Sequence, residues 1–314
     1  MQLIDGKKIA GELREKVKRA VGRAVEGGVT PGLAVVLVGD DPASKIYVSS
    51  KARVSAELGI YSETIRLPGE ISQKDLTEVL KNLNEEERFH GILLQLPLPS
   101  HLDEEKAIES ISPEKDVDGF HPVNMGYLSR GRPRYIPCTP LGVLYLLHRY
   151  SIPLEGASVA VLGRSNIVGR PLSVLLSLKK PWANAAVTLL HSRVKDLKRH
   201  LKEADIVISA VGKPELVRGE DIKDGAVAVD VGINRVEDPT SPKGYRLVGD
   251  LHWDSVSKKA SAATPVPGGV GPMTVAMLMV NTYLAAASSE DLPWGIEDDI
   301  LNSILEVRPG EGLP

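Results

Sequence analysis

Short apolar runs alternate with longer amphipathic segments through the first hundred residues of the chain. Residues 5–27 have helical spacing and end at Gly27-Gly28, and the apolar run that follows, residues 33–38, is typical of a buried strand. The alternation continues with a helix predicted over residues 44–58, a strand over 61–66, a helix over 72–82 and a strand over 91–96. This order predicts a βαβαβ arrangement around a parallel sheet.

A second series of short apolar runs follows the proline-rich residues 133–140 and a helix predicted over residues 141–150. Its predicted strands span residues 159–162, 187–190, 206–209 and 226–230. A glycine-rich turn follows the first of these strands directly, as in a Rossmann-like unit. The pattern therefore predicts an α/β protein of two domains, an N-terminal αβα domain and a Rossmann-like domain with a parallel sheet.

Composition narrows the possible partners. The 314 residues suffice for two ordinary domains, while the net charge of −3 and the pI near 6.2 provide no broad basic field for nucleic acid. Cys138 is the only cysteine, which excludes an intramolecular disulfide and fits a reducing compartment; we expect it to be a small packed residue. The N-terminus lacks the apolar core of a signal peptide. The apolar residues 275–287 are too short to span a bilayer and are interrupted by Asn281 and Thr282. We expect a soluble cytoplasmic protein with no membrane partner.

The glycine-rich turn suits a nucleotide phosphate. Gly163 and Gly169 permit close backbone approach, and the N–H groups of the following helix favour anionic oxygens. Ser165 stands where the usual fingerprint has its second glycine, and a plain structural turn explains the glycines equally well.

The tip of the second strand of this unit discriminates between cofactors. It reads His191-Ser192-Arg193, with no acid to bind a ribose 2′-hydroxyl. Arg164, Ser192 and Arg193 can instead bind a 2′-phosphate, which favours NADP over NAD. The alternatives are a helix cap at Ser192 and solvated arginines.

Three polar side chains share one face of the helix predicted over residues 44–58. Ser44, Tyr47 and Lys51 are spaced three and four apart, and Gln95 lies at the carboxyl end of a strand, where parallel sheets bind ligands. A lysine withdrawn from water can exchange protons near neutral pH; the ordinary alternative is an exposed lysine on an amphipathic helix. The Tyr47-x-x-x-Lys51 pair also occurs in short-chain dehydrogenases, but there the cofactor turn precedes the pair.

A loop pair of acids, Asp116 and Asp118, could bind a metal or accept hydrogen bonds from a heterocycle. No His/Cys cluster or third nearby acid completes a metal site, so no metal is predicted. We prefer a carboxylate facing a ring amidine for Asp118, with an Asx-turn as the alternative.

Six motifs, in this order along the chain, resemble those of the bifunctional methylenetetrahydrofolate dehydrogenase/cyclohydrolase family. They are Tyr47-Val-Ser-Ser-Lys51, Gln95-Leu-Pro-Leu-Pro99, Pro113-Glu-Lys-Asp-Val-Asp118-Gly119, Pro137-Cys-Thr-Pro140, Gly163-Arg-Ser-Asn-Ile-Val-Gly169 and Pro265-Val-Pro-Gly-Gly-Val-Gly-Pro272-Met-Thr274. The resemblance covers about residues 1–287, and the block from Pro265 to Thr274 is its most distinctive piece.

The resemblance implies a catalytic, folate-binding domain over residues 1–140 that is completed by a helix over 271–287. It also implies a Rossmann NADP-binding domain over residues 141–270, followed by a C-terminal extension over 288–314 to which no function is assigned. Members of this family are typically homodimers that bind tetrahydrofolate derivatives. They pass a hydride from methylenetetrahydrofolate to NADP+ and hydrolyse the resulting methenyl cation to formyltetrahydrofolate.

The resemblance also implies roles for single residues. Lys51 would be the acid and base of ring opening, Gln95 its hydrogen-bond partner, Tyr47 the ring-stacking group, Asp118 the pterin anchor and Ser44 a supporting polar group. Folate would contact Pro267, Gly268, Gly269 and Gly271; NADP would contact Gly163, Arg164, Ser165, Ser192 and Ile233.

Two rival interpretations make different demands on the sequence. A shikimate-type dehydrogenase should have a Lys/Asp catalytic pair, and the motifs at Gln95 and at residues 265–274 argue against it. A scaffold that keeps only the fold should have lost Lys51 or Gln95, and both remain.

Overall fold

The computed structural model describes residues 1–241 and 244–307. These residues form two compact units, each treated separately below. The six-strand unit comprises residues 1–11 and 139–274, and the three-strand unit comprises residues 12–138 and the chain from Val275 onward. The units therefore differ from the predicted domains, because residues 1–11 group with the six-strand unit. Residues 308–314 of the predicted extension lie outside the described residues.

The elements of the first half of the chain are β1 (Gln2–Leu3), α1 (Gly6–Glu26), β2 (Gly32–Val38), α2 (Pro42–Leu58), β3 (Tyr61–Leu67), α3 (Gln73–Glu85), β4 (Gly91–Leu94), α4 (Glu104–Glu109), α5 (Pro122–Ser129) and α6 (Cys138–Arg149). Those of the second half are β5 (Ser158–Leu162), α7 (Gly169–Ser177), β6 (Ala186–Leu190), α8 (Leu197–Glu203), β7 (Ile206–Ser209), β8 (Val227–Asp230), β9 (Asn234–Glu237), β10 (Tyr245–Val248), α9 (Trp253–Val256), β11 (Ala262–Ala263), α10 (Val270–Ser289) and α11 (Asp299–Leu305).

The three-strand unit is built on a parallel sheet in the order β3-β2-β4. Every residue of the central strand β2 is buried, as expected for a strand covered on both faces. Leu76 and Leu80 of α3 pack against Val36 and Ile92 in one apolar cluster. The predicted βαβαβ arrangement is confirmed, with β4 ending two residues earlier than expected.

The six-strand unit contains a fully parallel sheet in the order β1-β11-β8-β7-β5-β6. The strand order reverses at β5, which pairs with β6 on one side and with β7 on the other. Such a topological switch point is where open α/β sheets bind ligands. The predicted Rossmann-like sheet is therefore confirmed. A separate antiparallel pair, β9 and β10, was not predicted.

Helix α10 is longer than the apolar stretch identified in the sequence. Its 20 residues are long and apolar enough to cross a membrane, so the length argument was wrong. However, 78% of its most apolar window is buried inside the protein, as in the core helix of a globular fold. Thr282 does not interrupt the helix because its hydroxyl donates to Leu278 O at 2.8 Å.

The segment after α10 packs into the three-strand unit. The Trp294 ring is buried and lies 5.6 Å from the Tyr283 ring, and its Nε1 donates to Asn302 Oδ1 at 2.7 Å. Asp298 caps α11 through Leu301 N and also pairs with Lys16 Nζ at 2.8 Å. The chain after α10 thus contains a further short helix, α11, that belongs to this unit.

Candidate active site

Helix α2 has well-defined ends that place its polar face. Asp41 caps it by accepting from Ser44 N at 2.7 Å, Pro42 occupies its first turn, and Gly59 ends it with a φ of 80°. Ser44 is buried, whereas Tyr47 keeps 41% of its surface exposed. Lys51 follows one turn after Tyr47 and is partly buried. The predicted face therefore carries a buried hydroxyl at Ser44, an accessible phenol ring at Tyr47 and a partly buried amine at Lys51.

Lys51 and Gln95 are brought together from two different elements. Lys51 Nζ donates to Gln95 Oε1 at 3.0 Å. Gln95 follows β4, and its backbone N–H donates to Val36 O at 2.9 Å. Its side-chain Nε2 donates to Leu96 O at 2.7 Å. Because the amide nitrogen is engaged in this way, the amide oxygen is directed at the lysine.

The surroundings of Lys51 weaken its hold on a proton. Burial lowers the pKa of the ammonium group, and the Asp118 and Cys138 side chains oppose that shift. Burial raises the pKa of the Asp118 carboxyl, and the nearby Lys51 charge opposes the rise. A desolvated ammonium facing a desolvated carboxyl is a typical arrangement of functional sites, because both groups shift toward neutral pH.

The two acids of the loop after α4 have different surroundings. Asp116 is buried and accepts from His121 N at 2.8 Å and from Asn124 Nδ2 at 2.9 Å. It therefore organises the start of α5. Asp118 instead interacts with Lys51 and Cys138. Among the described residues, no group of three His, Cys, Asp or Glu side chains is arranged to hold a metal ion.

Cys138 lies beside Lys51 and Asp118, and the sequence analysis did not predict this contact. The thiol is buried, and Sγ lies 3.5 Å from Val117 O. Burial raises its pKa well above the usual range, so the sulfur stays protonated. Asn281 Nδ2 joins the same segments by donating to Val117 O at 2.8 Å and to Ile136 O at 3.0 Å. Only the motif Pro137-Cys138-Thr139-Pro140 pointed to this region, and Asn281 had no signal.

The glycine-rich turn of the six-strand unit lies at the switch point of the sheet. Gly163 has a φ of 115°, and a Cβ there would lie 2.2 Å from Ala210 O. A Cβ on Gly169 would lie 1.9 Å from Gly163 O. The loops after β5 and β7 and the start of α7 are therefore packed backbone against backbone, which requires glycine at both positions.

The predicted phosphate-binding residues lie exposed around this turn. Arg164, Ser165 and Ser192 are all exposed, and Ser165 Oγ accepts from Val168 N at 3.2 Å. The first acid after β6 is Asp196, whose carboxylate accepts from Arg199 N at 3.3 Å at the start of α8. The tip of β6 thus presents a hydroxyl and basic groups without a carboxylate.

The remaining predicted binding residues also belong to the six-strand unit. Gly268 O accepts from Lys7 N at 2.8 Å, which ties the glycine-rich segment before α10 to the start of α1. Pro267 is exposed and Gly269 is buried. The Ile233 side chain, 38% exposed, lies against Gly271, where an added Cβ would be 3.2 Å from Ile233 Cδ1.

These features define a class of protein. A parallel sheet with a glycine turn at its switch point is the architecture of dinucleotide-binding domains. The three-strand unit adds a partly buried lysine, Lys51, whose amine donates to the side-chain amide of Gln95. The chain is thus a two-unit α/β enzyme of the nucleotide-dependent type.

The chain belongs to the tetrahydrofolate dehydrogenase/cyclohydrolase family. The model of the family's catalytic domain matches residues 4–118, and that of its NAD(P)-binding domain matches residues 137–290. The chain is 52% identical to the "Bifunctional protein FolD" of Moorella thermoacetica over 285 residues, which are 91% of this chain and 98% of the relative.

Two solved structures are similar across nearly the whole fold. The bifunctional FolD methylenetetrahydrofolate dehydrogenase/cyclohydrolase of Campylobacter jejuni is 45% identical with a TM-score of 0.87, covering 92% of this chain and 99% of that one. The Trypanosoma brucei enzyme, solved with NADP cofactor and inhibitor, is 41% identical with a TM-score of 0.87, covering 92% and 98%.

Proposed function

We propose that the protein oxidises methylenetetrahydrofolate to methenyltetrahydrofolate with NADP+ and then hydrolyses the methenyl product to formyltetrahydrofolate. Membership of the family and the bifunctional relatives support both activities. The observation that carries the hydrolytic half is the 3.0 Å hydrogen bond between Lys51 Nζ and Gln95 Oε1, together with the lowered pKa of Lys51.

Lys51 would move the protons of the hydrolysis. Water adds to the methenyl carbon and loses a proton, for which a neutral lysine amine is a suitable acceptor. Lys51 then returns that proton to one of the two ring nitrogens as its bond to the carbon breaks, and the remaining hydroxyl proton is released to solvent as the formyl C=O forms. The lowered pKa of Lys51 serves both steps. It brings the pH at which the neutral amine and the ammonium coexist closer to neutral.

The neighbouring side chains would orient substrate and lysine. Gln95 holds Nζ without adding a charge that would raise the lysine pKa. Asp118 would accept hydrogen bonds from the N–H groups of the pterin ring, and the accessible ring of Tyr47 would stack on the substrate. Ser44 would support this face as a buried polar group.

The hydride step would need positioning more than proton transfer. NADP+ accepts the hydride when it is bound. The exposed Arg164 and Ser192 fit a 2′-phosphate, while Gly163, Ser165 and Ile233 would contact the remainder of the cofactor. Pro267, Gly268, Gly269 and Gly271 would contact the folate.

We also infer a cytoplasmic homodimer with neither a nucleic-acid nor a membrane partner. The net charge of −3 supports the exclusion of nucleic acid. The burial of α10 supports a core role for the one described helix that has the length and apolarity of a membrane span.

A coupled assay tests the proposed function. The purified protein is mixed with methylenetetrahydrofolate and either NADP+ or NAD+, and NADPH or NADH and the methenyl absorbance are followed separately. We expect reduction of NADP+ in preference to NAD+, with little accumulation of methenyltetrahydrofolate. Persistent methenyl accumulation would contradict the hydrolytic half, and no reduction of either cofactor would contradict the oxidative half.

A further inference from the structure

We propose that Asp250 is a positioning residue for NADP: its buried carboxylate shapes the two loops that follow β7 and β8. This inference rests on the proposed function, since it concerns the cofactor end of the six-strand sheet. Asp250 is fully buried and follows β10, outside every motif identified in the sequence.

The carboxylate of Asp250 accepts hydrogen bonds from the end of β7, from the loop after it and from the start of β9, which follows β8. Oδ2 accepts from Val211 N at 2.8 Å and from Gly212 N at 3.2 Å, while Oδ1 accepts from Lys213 N at 2.9 Å. These are three consecutive amides of the loop after β7. Ser209 Oγ donates to Oδ2 at 3.1 Å, and Asn234 Nδ2, beyond β8, donates to Oδ1 at 3.1 Å. One side chain thus joins the carboxyl ends of two adjacent parallel strands.

A second buried carboxylate holds Asp250 itself. Asp230, the last residue of β8, accepts from Asp250 N at 2.9 Å and from Leu251 N at 2.8 Å. A Cβ on Gly249 would lie 1.8 Å from Asp230 Oδ2, and a Cβ on Gly232 would lie 2.1 Å from Asp250 Oδ1. Each carboxylate therefore lies directly against a glycine, so the two segments Asp230-Val-Gly232 and Gly249-Asp250 interlock.

This arrangement affects a residue proposed to contact NADP. Ile233 lies between Gly232, whose backbone approaches the Asp250 carboxylate, and Asn234, which donates to it. The loop after β7 packs against Gly163 of the phosphate turn through Ala210 O. Asp250 therefore constrains the loops on the β7 and β8 side of the switch point, next to the phosphate turn, where the architecture places the cofactor.

Burying a carboxylate is costly unless donors compensate it, and here five donors do so. A neutral asparagine cannot replace it, because asparagine has one acceptor oxygen and one donor group. Whichever way the amide is turned, its NH2 group faces at least one backbone N–H group. Asp250→Asn should therefore loosen at least one of the two loops while preserving side-chain size.

The test compares Asp250→Asn with Asp221→Asn. Asp221 is also buried in the six-strand unit and accepts from Arg218 N at 3.0 Å, but it belongs to a local turn that contains none of the proposed binding residues. For each variant, NADP+ affinity is measured by titration calorimetry and thermal stability by circular dichroism. The hydrolysis rate of methenyltetrahydrofolate is measured from its absorbance in the absence of NADP+.

We expect Asp250→Asn to raise the NADP+ Kd about tenfold, equivalent to about 1.4 kcal/mol. The hydrolysis rate should change less than about threefold, because the loops that Asp250 holds take no part in proton transfer. Asp221→Asn should lower the melting temperature without changing the Kd. An NADP+ Kd within about twofold of the parent value in folded Asp250→Asn would overturn the proposal.

If Asp250→Asn does not fold, Asn234→Ala takes its place because it removes only one of the five donors. A rise in its NADP+ Kd would support the proposal and an unchanged Kd would overturn it. Failure of the parent protein to bind NADP+ would contradict the proposed function itself, which separates the two outcomes.

Discussion

At the scale of single residues, the proposed chemistry depends on how one lysine loses its affinity for a proton. Burial lowers the pKa of Lys51, while Asp118 pulls it in the opposite direction. Gln95 matters because it satisfies the amine with a neutral acceptor at 3.0 Å. A carboxylate in its place would add an opposite charge at hydrogen-bond distance and favour the ammonium form.

Gln95→Glu tests this electrostatic argument. We expect the added carboxylate to raise the lysine pKa, because a close opposite charge favours the ammonium form. Hydrolysis of methenyltetrahydrofolate increases with the neutral fraction of Lys51, so its rate at pH 7 should fall and the rising limb of the pH–rate profile should move to higher pH. Rate profiles from pH 6 to about 10.4, the ordinary lysine pKa, make this shift visible.

Gln95→Leu is the matched control, since it removes the hydrogen bond that Lys51 Nζ donates to Gln95 and adds no charge. Its activity should also fall, but its rising limb should not move to higher pH. If Gln95→Glu and Gln95→Leu have the same limb, the electrostatic role given to the neutral amide is incorrect.

Some residue contacts could be predicted from sequence and others could not. Lys51 and Gln95 are 44 positions apart, yet the helix period and the end of a parallel strand directed both to one edge of the sheet. Asn281 and Val117 are 164 positions apart, and their hydrogen bond depends on how α10 packs. Asp250 was missed for a similar reason, because its donors lie 16 to 41 positions away and share no periodic pattern.

At the scale of elements, long periodic segments were predicted well because burial sets their pattern. Helix α1 is one residue shorter than predicted at each end, and β2 begins one residue earlier than predicted. The two-residue strands β1 and β11 are too short for any period to be detected, and they exist because they complete a sheet. The residues of β9 and β10 are partly buried or exposed apart from the buried Val248, so these strands lack the apolar run by which the others were predicted.

Helix α11 and the segment before it extend beyond the matched family domains, which end at residue 290. Trp294 is nevertheless buried within the three-strand unit, and Lys16 of α1 pairs with the buried Asp298. Burial of a large aromatic ring together with a satisfied indole N–H makes this segment part of the unit's core rather than an appendage.

Trp294→Ala should therefore destabilise the protein by about 3–5 kcal/mol, the usual cost of deleting a buried aromatic side chain. Chemical denaturation monitored by circular dichroism measures the loss. Glu297→Ala provides a control in the same segment, because Glu297 is exposed and its 3.4 Å pair with Arg23 should contribute at most about 1 kcal/mol. Equal, small effects of the two substitutions would show that the segment contributes little to stability.

At the scale of the whole molecule, the two proposed activities depend on different chemical resources. Proton transfer is assigned to Lys51 in the three-strand unit, and cofactor binding is assigned to loops of the six-strand unit. The resemblance of six ordered motifs predicted this division, and the family match over residues 4–118 and 137–290 supports it. The unit boundaries were harder to predict, because residues 1–11 join the six-strand unit through β1, which pairs with β11.

The most direct test of the account is the effect of Lys51→Met on the two activities measured in one reaction. Methionine keeps an unbranched side chain but cannot accept or donate the proton, so methenyl hydrolysis should fall by about 10²- to 10⁴-fold, the usual contribution of general acid–base catalysis. NADPH formation should persist, and methenyltetrahydrofolate should accumulate in proportion to it. Hydrolysis at the parent rate by folded Lys51→Met would contradict the account, because the proton-transfer group would then lie elsewhere.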